Sequence, residues 1–318
     1  MATDHPGGLT RDHVVWAYRL LLDRDPENED VIGPKLAGSG DTRELRHHLM
    51  TSAEFQDKNR DYAHTNDRTL VIKELDGPGS ARLYVDLSDH VIGLSIVRGH
   101  YESGEAAFVR QQLRPGDVAV DVGAHIGFFT MQMAAAVGPS GCVYAFEPFG
   151  PNAELLERSI AENQFADRVS FRRAAVGATS GKATLTFPPE TLNSGGAYLL
   201  RDGTPPLPGN LSATVPVVAL DEVVTRRPVR LIKMDVEGAE PQVLRGAATL
   251  IREDRPTILA ELHPVQLDRT SAATVDGFLR QVNDLGYGAH YFEQGGPGGV
   301  IEGAPRDALV SIVLLPRS

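Results

Sequence analysis

Val118-Ala119-Val120-Asp121-Val122-Gly123-Ala124-His125-Ile126-Gly127 is the stretch on which the fold turns. A short apolar run reaches an acid, turns through two glycines and opens a helical pattern from about 128 to 137. Short apolar runs bounded by turn residues read as buried strands. The rhythm then repeats. Cys142-Val143-Tyr144-Ala145-Phe146 is a second strand, followed by a helix over 152–163, and Val169-Ser170-Phe171 is a third strand. Further strands fall at 229–234, at 257–260 and, beyond a helix at about 272–285, near 287–292 and 308–314. Such alternation predicts an α/β fold, a doubly wound and mostly parallel sheet covered by helices on both faces.

Upstream, Leu70-Val71-Ile72 and Leu83-Tyr84-Val85 flank Asp76-Gly77-Pro78-Gly79, a hairpin pattern. Residues 188–213 break the rhythm, because five prolines and four glycines crowd there. They read as one long loop, of the kind that often borders a site. Residues 1–68 form a separate helical module. Val14, Val15, Tyr18, Leu21 and Leu22 share helical spacing and Pro26 ends the run. Asp41-Thr42-Arg43-Glu44 is a capping box for a second helix through Leu45, Leu49 and Met50, and Thr51-Ser52-Ala53-Glu54 repeats the signal before Phe55. The module loosely resembles helical segments found beside some bacterial glycan-modifying enzymes, but the plainer expectation is a helical cap packed on the main domain. The domain division is therefore 1–68 and 69–318.

Composition narrows the partners. The 318 residues carry 31 basic and 42 acidic side chains, a net charge of −11, with no basic stripe. Nucleic acid needs such a stripe, so it is excluded as a partner. No segment is long and apolar enough for a membrane span, and the first residues lack a signal pattern. The expectation is a cytoplasmic protein. Cys142, the single cysteine, fits a reducing compartment. Aromatics at 6% argue against a carbohydrate surface built from stacked rings. Oligomeric state is left open, a homodimer included.

The glycine turn suits a nucleotide-like ligand beyond the strand ends, where backbone must approach closely. Glu147 ends the second strand, twenty residues past Gly127, and an acid there can accept hydrogen bonds from both hydroxyls of an adenosine ribose. A dinucleotide fingerprint would carry Gly-x-Gly-x-x-Gly. Here His125 stands at the middle glycine's place, which disfavours a pyrophosphate and hence a nicotinamide dehydrogenase.

At these residues the sequence resembles the FkbM family of methyltransferases. The matching pieces are Gly99-His100-Tyr101-Glu102, Pro115-Gly116-Asp117, the glycine loop and Phe146-Glu147-Pro148. Downstream come Asn193-Ser194-Gly195-Gly196, Leu220-Asp221, Lys233-Met234-Asp235-Val236-Glu237-Gly238-Ala239-Glu240 and Glu261-Leu262-His263-Pro264. They stand in order over about 95–265. The family usually carries Asn at the position of His125. The resemblance implies a class I Rossmann-like methyltransferase fold with a seven-stranded sheet, S-adenosylmethionine as cofactor, and transfer to a hydroxyl of a sugar, glycan or natural product. It places Asp121, Gly123, Ala124, His125 and Gly127 in the cofactor loop, and Glu147 and Pro148 at the ribose. Ala174 and Ala175 fall along the adenine, and Tyr101-Glu102 near the methionine end.

Methyl transfer from a sulfonium is a direct displacement in which alignment supplies much of the rate. A hydroxyl acceptor needs either a base or a metal to draw off its proton. Asp235 and Glu261-His263 end neighbouring strands in this fold, so they face the donor methyl. His263 is the first choice as base, because histidine titrates nearest neutral pH. Asp235 is the alternative base or a carboxylate that orients the acceptor, and it also borders the cofactor; Glu261 stands with them at the catalytic end. Asp235, Glu261 and His263 together can ligate a divalent cation, and that donor set suits Mg²⁺ or Mn²⁺ better than zinc. Glu237 and Glu240 have a plainer use at a helix N-terminus. The acceptor is expected to be a small molecule or saccharide. The competing readings are N-methyl transfer to an amine and a non-catalytic cofactor-binding module whose helical segment docks on a partner.

Overall fold

A computed structural model describes residues 9–22, 24–50, 52, 54, 69–77, 79–89, 91–188, 195–201, 203–303 and 309–317. The chain divides into two compact units, Met1–Arg68 and Thr69–Ser318. In the first, helices α1 (Arg11–Leu22), α2 (Glu29–Ala37) and α3 (Thr42–Met50) bury Val14, Tyr18, Leu22, Ile32, Leu45 and Leu49 against one another. The capping signal closes a turn here, with the return bond reaching Gly40, one residue before the Asp41 cap. Asp41 Oδ1 accepts from Glu44 N at 2.8 Å, and Glu44 Oε2 accepts from Gly40 N at 2.6 Å. The middle helix lies between the two read from the pattern, and Pro34 inside it interrupts the signal. Of the repeated signal, Thr51 and Ala53, with Phe55, lie outside the described residues.

The second unit opens with the antiparallel hairpin β1 (Leu70–Glu74) and β2 (Arg82–Asp86). Three strands follow in βα units: β3 (Val118–Val122), β4 (Cys142–Phe146) and β5 (Val169–Arg172). Next come β6 (Ala175–Val176), β7 (Gly181–Phe187), β8 (Tyr198–Leu200) and β9 (Leu211–Val218), and then β10 (Val229–Met234) and β11 (Thr257–Leu262). The chain ends with β12 (Tyr287–Glu293), β13 (Gly296–Val300) and β14 (Val310–Pro316).

The main sheet has the order β13-β12-β14-β11-β10-β3-β4-β5. The strands from β11 to β5 are parallel, and the three at the other edge pair antiparallel. All seven expected strands are present, with an eighth at the edge. That strand, Gly296-Pro297-Gly298-Gly299-Val300, has no strand-like composition and forms by hairpin pairing with β12. The long loop expected over 188–213 is corrected in part. β8 and the start of β9 fall inside it and build a second sheet, β6-β9-β7-β8. Proline and glycine density hid them, because the pairing is supplied by β7 rather than by local preference.

Two cores cover the two faces of the main sheet. Val118, Val120, Val122, Ile232 and Met234 face one, and Ala119 and Leu231 face the other. Period-2 alternation puts Asp121 and Lys233 on the Ala119–Leu231 face, and the parallel register sets them side by side. From β3 the chain runs outward through β4 and β5, then crosses back to β10 on the other side of β3. This is a topological switch point, and the crevice beyond the carboxyl ends of β3 and β10 is where such sheets hold ligands.

Candidate active site

A cavity of about 460 Å³ lies at that crevice. Its wall includes Glu102, Gly123, Ala124, His125, Glu147, Pro148, Ala174, Ala175, Asp235, Glu261 and His263. The residues expected at the cofactor and at the reacting end thus line one space. Two expected residues stand behind it. Asp121 is fully buried, with Oδ2 accepting from Thr130 Oγ1 at 2.5 Å and Oδ1 without a partner among the described residues. Gly127 caps the helix Phe128–Val137 at φ 98°, where a Cβ would come within 2.5 Å of Leu156 Cδ1. Gly195 and Gly196 reach the wall, while Asn193 and Ser194 lie outside the described residues.

The glycine loop is pinned by backbone. Gly123 N and Ala124 N both donate to Phe146 O, at 3.0 and 2.9 Å. Glu147, next in the chain, accepts from His125 N and Phe149 N, both at 2.8 Å. A carboxylate has about four acceptor positions, so each oxygen keeps one for a ligand hydroxyl. Burial pushes Glu147 up to about 7, against the two backbone hydrogen bonds that draw it down. Backbone strain also gathers here. Glu102, His125 and Glu237 all line the cavity with φ of 39°, 52° and 50°, values that non-glycine residues rarely adopt.

In the same cavity, one carboxylate oxygen from each of Glu102, Asp235 and Glu261 lies within 4.8 Å of the others. Lys233 Nζ is 3.1 Å from Asp235 Oδ2 and 4.7 Å from the centre of the Phe129 ring. Burial pushes Glu261 up to about 8, with the Asp235 charge adding to it, and burial likewise raises Glu102 and Tyr101. Glu237 rises to about 7 by burial, and its Oε2 accepts from Gln266 Nε2 at 3.1 Å. Glu240 is buried in the first turn of its helix, away from the cavity wall. His263 is the N-cap of the helix Pro264–Ser271, its Nδ1 3.5 Å from Gln266 N.

His263 is not in the close carboxylate group, where Glu102 takes the third place expected of it. Among the described residues, oxygens spaced in this way would suit a hard cation, but Lys233 counts against one. Like unit charges ~4 Å apart in a moderately polar interior repel by about 4 kcal/mol, and a divalent ion doubles that. The donor set therefore fits Mg²⁺ or Mn²⁺ poorly. Sequence reasoning gave Lys233 no role, although a lysine inside the apolar strand Leu231-Ile232-Lys233-Met234 is a signal, since buried lysines are almost always paired.

The family profile described as the methyltransferase FkbM domain matches residues 121–288, more than half of the chain. The chain belongs to the FkbM methyltransferase family. Among its relatives is the 31-O-demethyl-FK506 methyltransferase FkbM of Streptomyces tacrolimicus, 30% identical, with 56% of this chain and 84% of the relative covered. Methyltransferase 1 of Beauveria bassiana (strain ARSEF 2860) is 29% identical over 40% of this chain and 57% of its own. A crystal structure of methyltransferase FkbM from Methylobacillus flagellatus KT is 16% identical with a TM-score of 0.41, over 94% of this chain and 58% of that one. The protein is an S-adenosylmethionine-dependent methyltransferase of the FkbM type. No helix among the described residues is long and apolar enough to cross a membrane.

The FkbM cavity fits that cofactor. Its glycine loop leaves no room for a Cβ at Gly123, and Glu147 offers two acceptor oxygens at the end of β4. Glu147→Gln should weaken S-adenosylhomocysteine binding about ten- to a hundredfold, the cost of a hydrogen bond to a charged group. Calorimetric titration beside a melting curve checks this, and unchanged affinity would remove Glu147 from the ribose.

The raised carboxyls also set opposite pH trends. Glu147, Glu237, Glu240 and Glu261 hold protons more tightly folded than unfolded. Their contribution to stability is complete below about pH 4.5 and is lost as pH rises through about 7 to 8. The ligand-free chain should therefore melt at a lower temperature at pH 8.5 than at pH 5.5. If Glu147 takes the ribose hydroxyls as a carboxylate, S-adenosylhomocysteine should bind more tightly as pH rises through about 7. Melting and titration series over that range should show the two trends running apart; parallel trends would contradict the assignment.

Proposed function

We propose that this FkbM-family enzyme transfers the methyl group to a hydroxyl of a small molecule or saccharide. The observation that carries the reading is the carboxylate group of Glu102, Asp235 and Glu261 in the same cavity as the glycine loop. S-adenosylmethionine, when bound, supplies an electrophilic methyl on a sulfonium. Glu261, raised to about 8 by burial beside Asp235, is basic enough to take the hydroxyl proton. The acceptor oxygen forms the new C–O bond as the C–S bond breaks, and that electron pair stays on sulfur. Asp235, paired with Lys233, borders the same space.

His263 is less suited to the base role than its sequence position suggests. With Nδ1 accepting from Gln266 N, the neutral ring carries its proton on Nε2 and donates there. The carboxylates also argue against an amine acceptor. Three acidic groups would hold an amine as ammonium, without the lone pair that attacks. Ionisable groups gathered in the cavity with shifted titration support catalysis over a purely binding module. The relative named for a 31-O-demethyl compound supports oxygen as the atom methylated. A charge of −11 supports a small acceptor rather than nucleic acid. Incubation with S-adenosylmethionine and matched panels of hydroxylated and amine acceptors, followed by mass spectrometry, tests the reading. A mass gain of one methylene on hydroxylated acceptors is expected; gains confined to amines would overturn it.

A further inference from the structure

Lys233 is the buried cation of this cavity, about 4% exposed, and the strand β10 fixes it there. Parallel register places it beside Asp121 on β3, and two residues on along its own strand stands Asp235, whose Oδ2 is 3.1 Å from Nζ. The face of the Phe129 ring lies 4.7 Å from the ammonium, a position that favours a cation. Glu102 and Glu261 complete the group that would otherwise form a three-carboxylate ion site. Carboxylates this close either keep protons or need a positive charge among them.

We propose that the Lys233 ammonium is the resident counter-ion of the Glu102–Asp235–Glu261 group, so that a side chain of the protein fills the electrostatic place of a divalent metal. Lys233 is a positioning residue in this account. It holds Asp235 by a direct ion pair and lets the other two carboxylates share one cavity. Burial by itself would push the lysine toward its neutral form, but Asp235, Glu102, Asp121 and Glu261 outweigh that and raise its affinity for its proton. An entering divalent ion would have to displace a charge that has nowhere to go. Removal of that charge should turn the same oxygens into a metal site.

The proposal borrows its catalytic meaning from the hydroxyl-transfer reading, but its test needs no acceptor. Mn²⁺ is titrated against the full chain and followed by electron paramagnetic resonance. The wild-type protein should show no binding below the millimolar range, and Lys233→Met should bind Mn²⁺ at least tenfold more tightly. Adding Glu261→Gln to Lys233→Met should abolish the gain. Should Lys233→Met fail to fold, Lys233→Gln is the second neutral variant, while Lys233→Arg should keep the fold and still reject the ion. Retained S-adenosylhomocysteine binding reports folding in each case. Wild-type protein that binds Mn²⁺ as tightly as the neutral variants, in a manner lost in Glu261→Gln, would overturn the proposal. So would neutral variants that fold and bind no Mn²⁺. Failure of hydroxyl methylation would appear only in the acceptor panel and would leave these binding results unchanged.

Discussion

Glu261→Gln should lower turnover by roughly 10²- to 10⁴-fold, the usual contribution of a positioned general base, while S-adenosylhomocysteine binds within about threefold of wild type. Glutamine keeps the shape and an acceptor oxygen but cannot take a proton. Glu261, next to last in β11, pairs across the sheet with Ser311 and lines the cavity beside Asp235 and Glu102. Its loss therefore touches the reacting end and leaves the Glu147 end alone. The wild-type rate should climb as pH rises through about 8, because the ionised carboxylate is the active form. His263→Ala is the informative contrast. It removes a helix cap, which costs ~1 kcal/mol of stability, and should reduce turnover far less than Glu261→Gln. If the histidine variant lost the larger share of turnover, the base would be His263.

Gly123→Ala should be the most damaging single methyl in the FkbM domain. Gly123 has φ 77°, and a Cβ there would lie 1.8 Å from Asp235 O. That oxygen belongs to backbone at the end of β10, and Asp235 N is itself bound to Val122 O at 3.0 Å. Neither strand end can give way without parting β3 from β10. Positive φ on a residue with a side chain and overpacking each cost about 1–3 kcal/mol. Together they should lower the melting temperature by roughly ten degrees, at a few degrees per kcal/mol for a unit of this size, and S-adenosylhomocysteine binding should be lost. Gly150→Ala is the control. Nothing lies within 4 Å of a Cβ there, and Gly150 opens a helix, so the melting temperature should hold or rise slightly. Similar behaviour of the two variants would mean that the loop is not held as tightly as its contacts imply.

The central strands were readable because burial on both faces leaves an unbroken apolar run, as in Val118–Val122 and Val229–Met234. The glycine loop was readable because its conformation demands particular residues. β8, β9 and β13 were not, since pairing partners rather than local preference make them strands. At the site, Glu147, Asp235 and Glu261 stood at strand ends that the pattern located. Glu102 came into the carboxylate group through tertiary placement, on a residue at φ 39° before the helix Ser103–Gln112. Lys233 was visible as a charge inside an apolar run, yet its meaning depends on Asp121 from another strand. The local role of His263 as a helix cap followed from Gln266, three residues on.

The most direct measurement is the fate of a carbon-13 methyl carried by S-adenosylmethionine, followed by NMR with wild-type protein and with Glu261→Gln on a hydroxylated acceptor that the wild type modifies. The label should appear as a methoxy resonance with the wild type and be nearly absent with the variant. A label found on nitrogen, or a methoxy signal that grows as fast with Glu261→Gln as with wild type, would contradict the account.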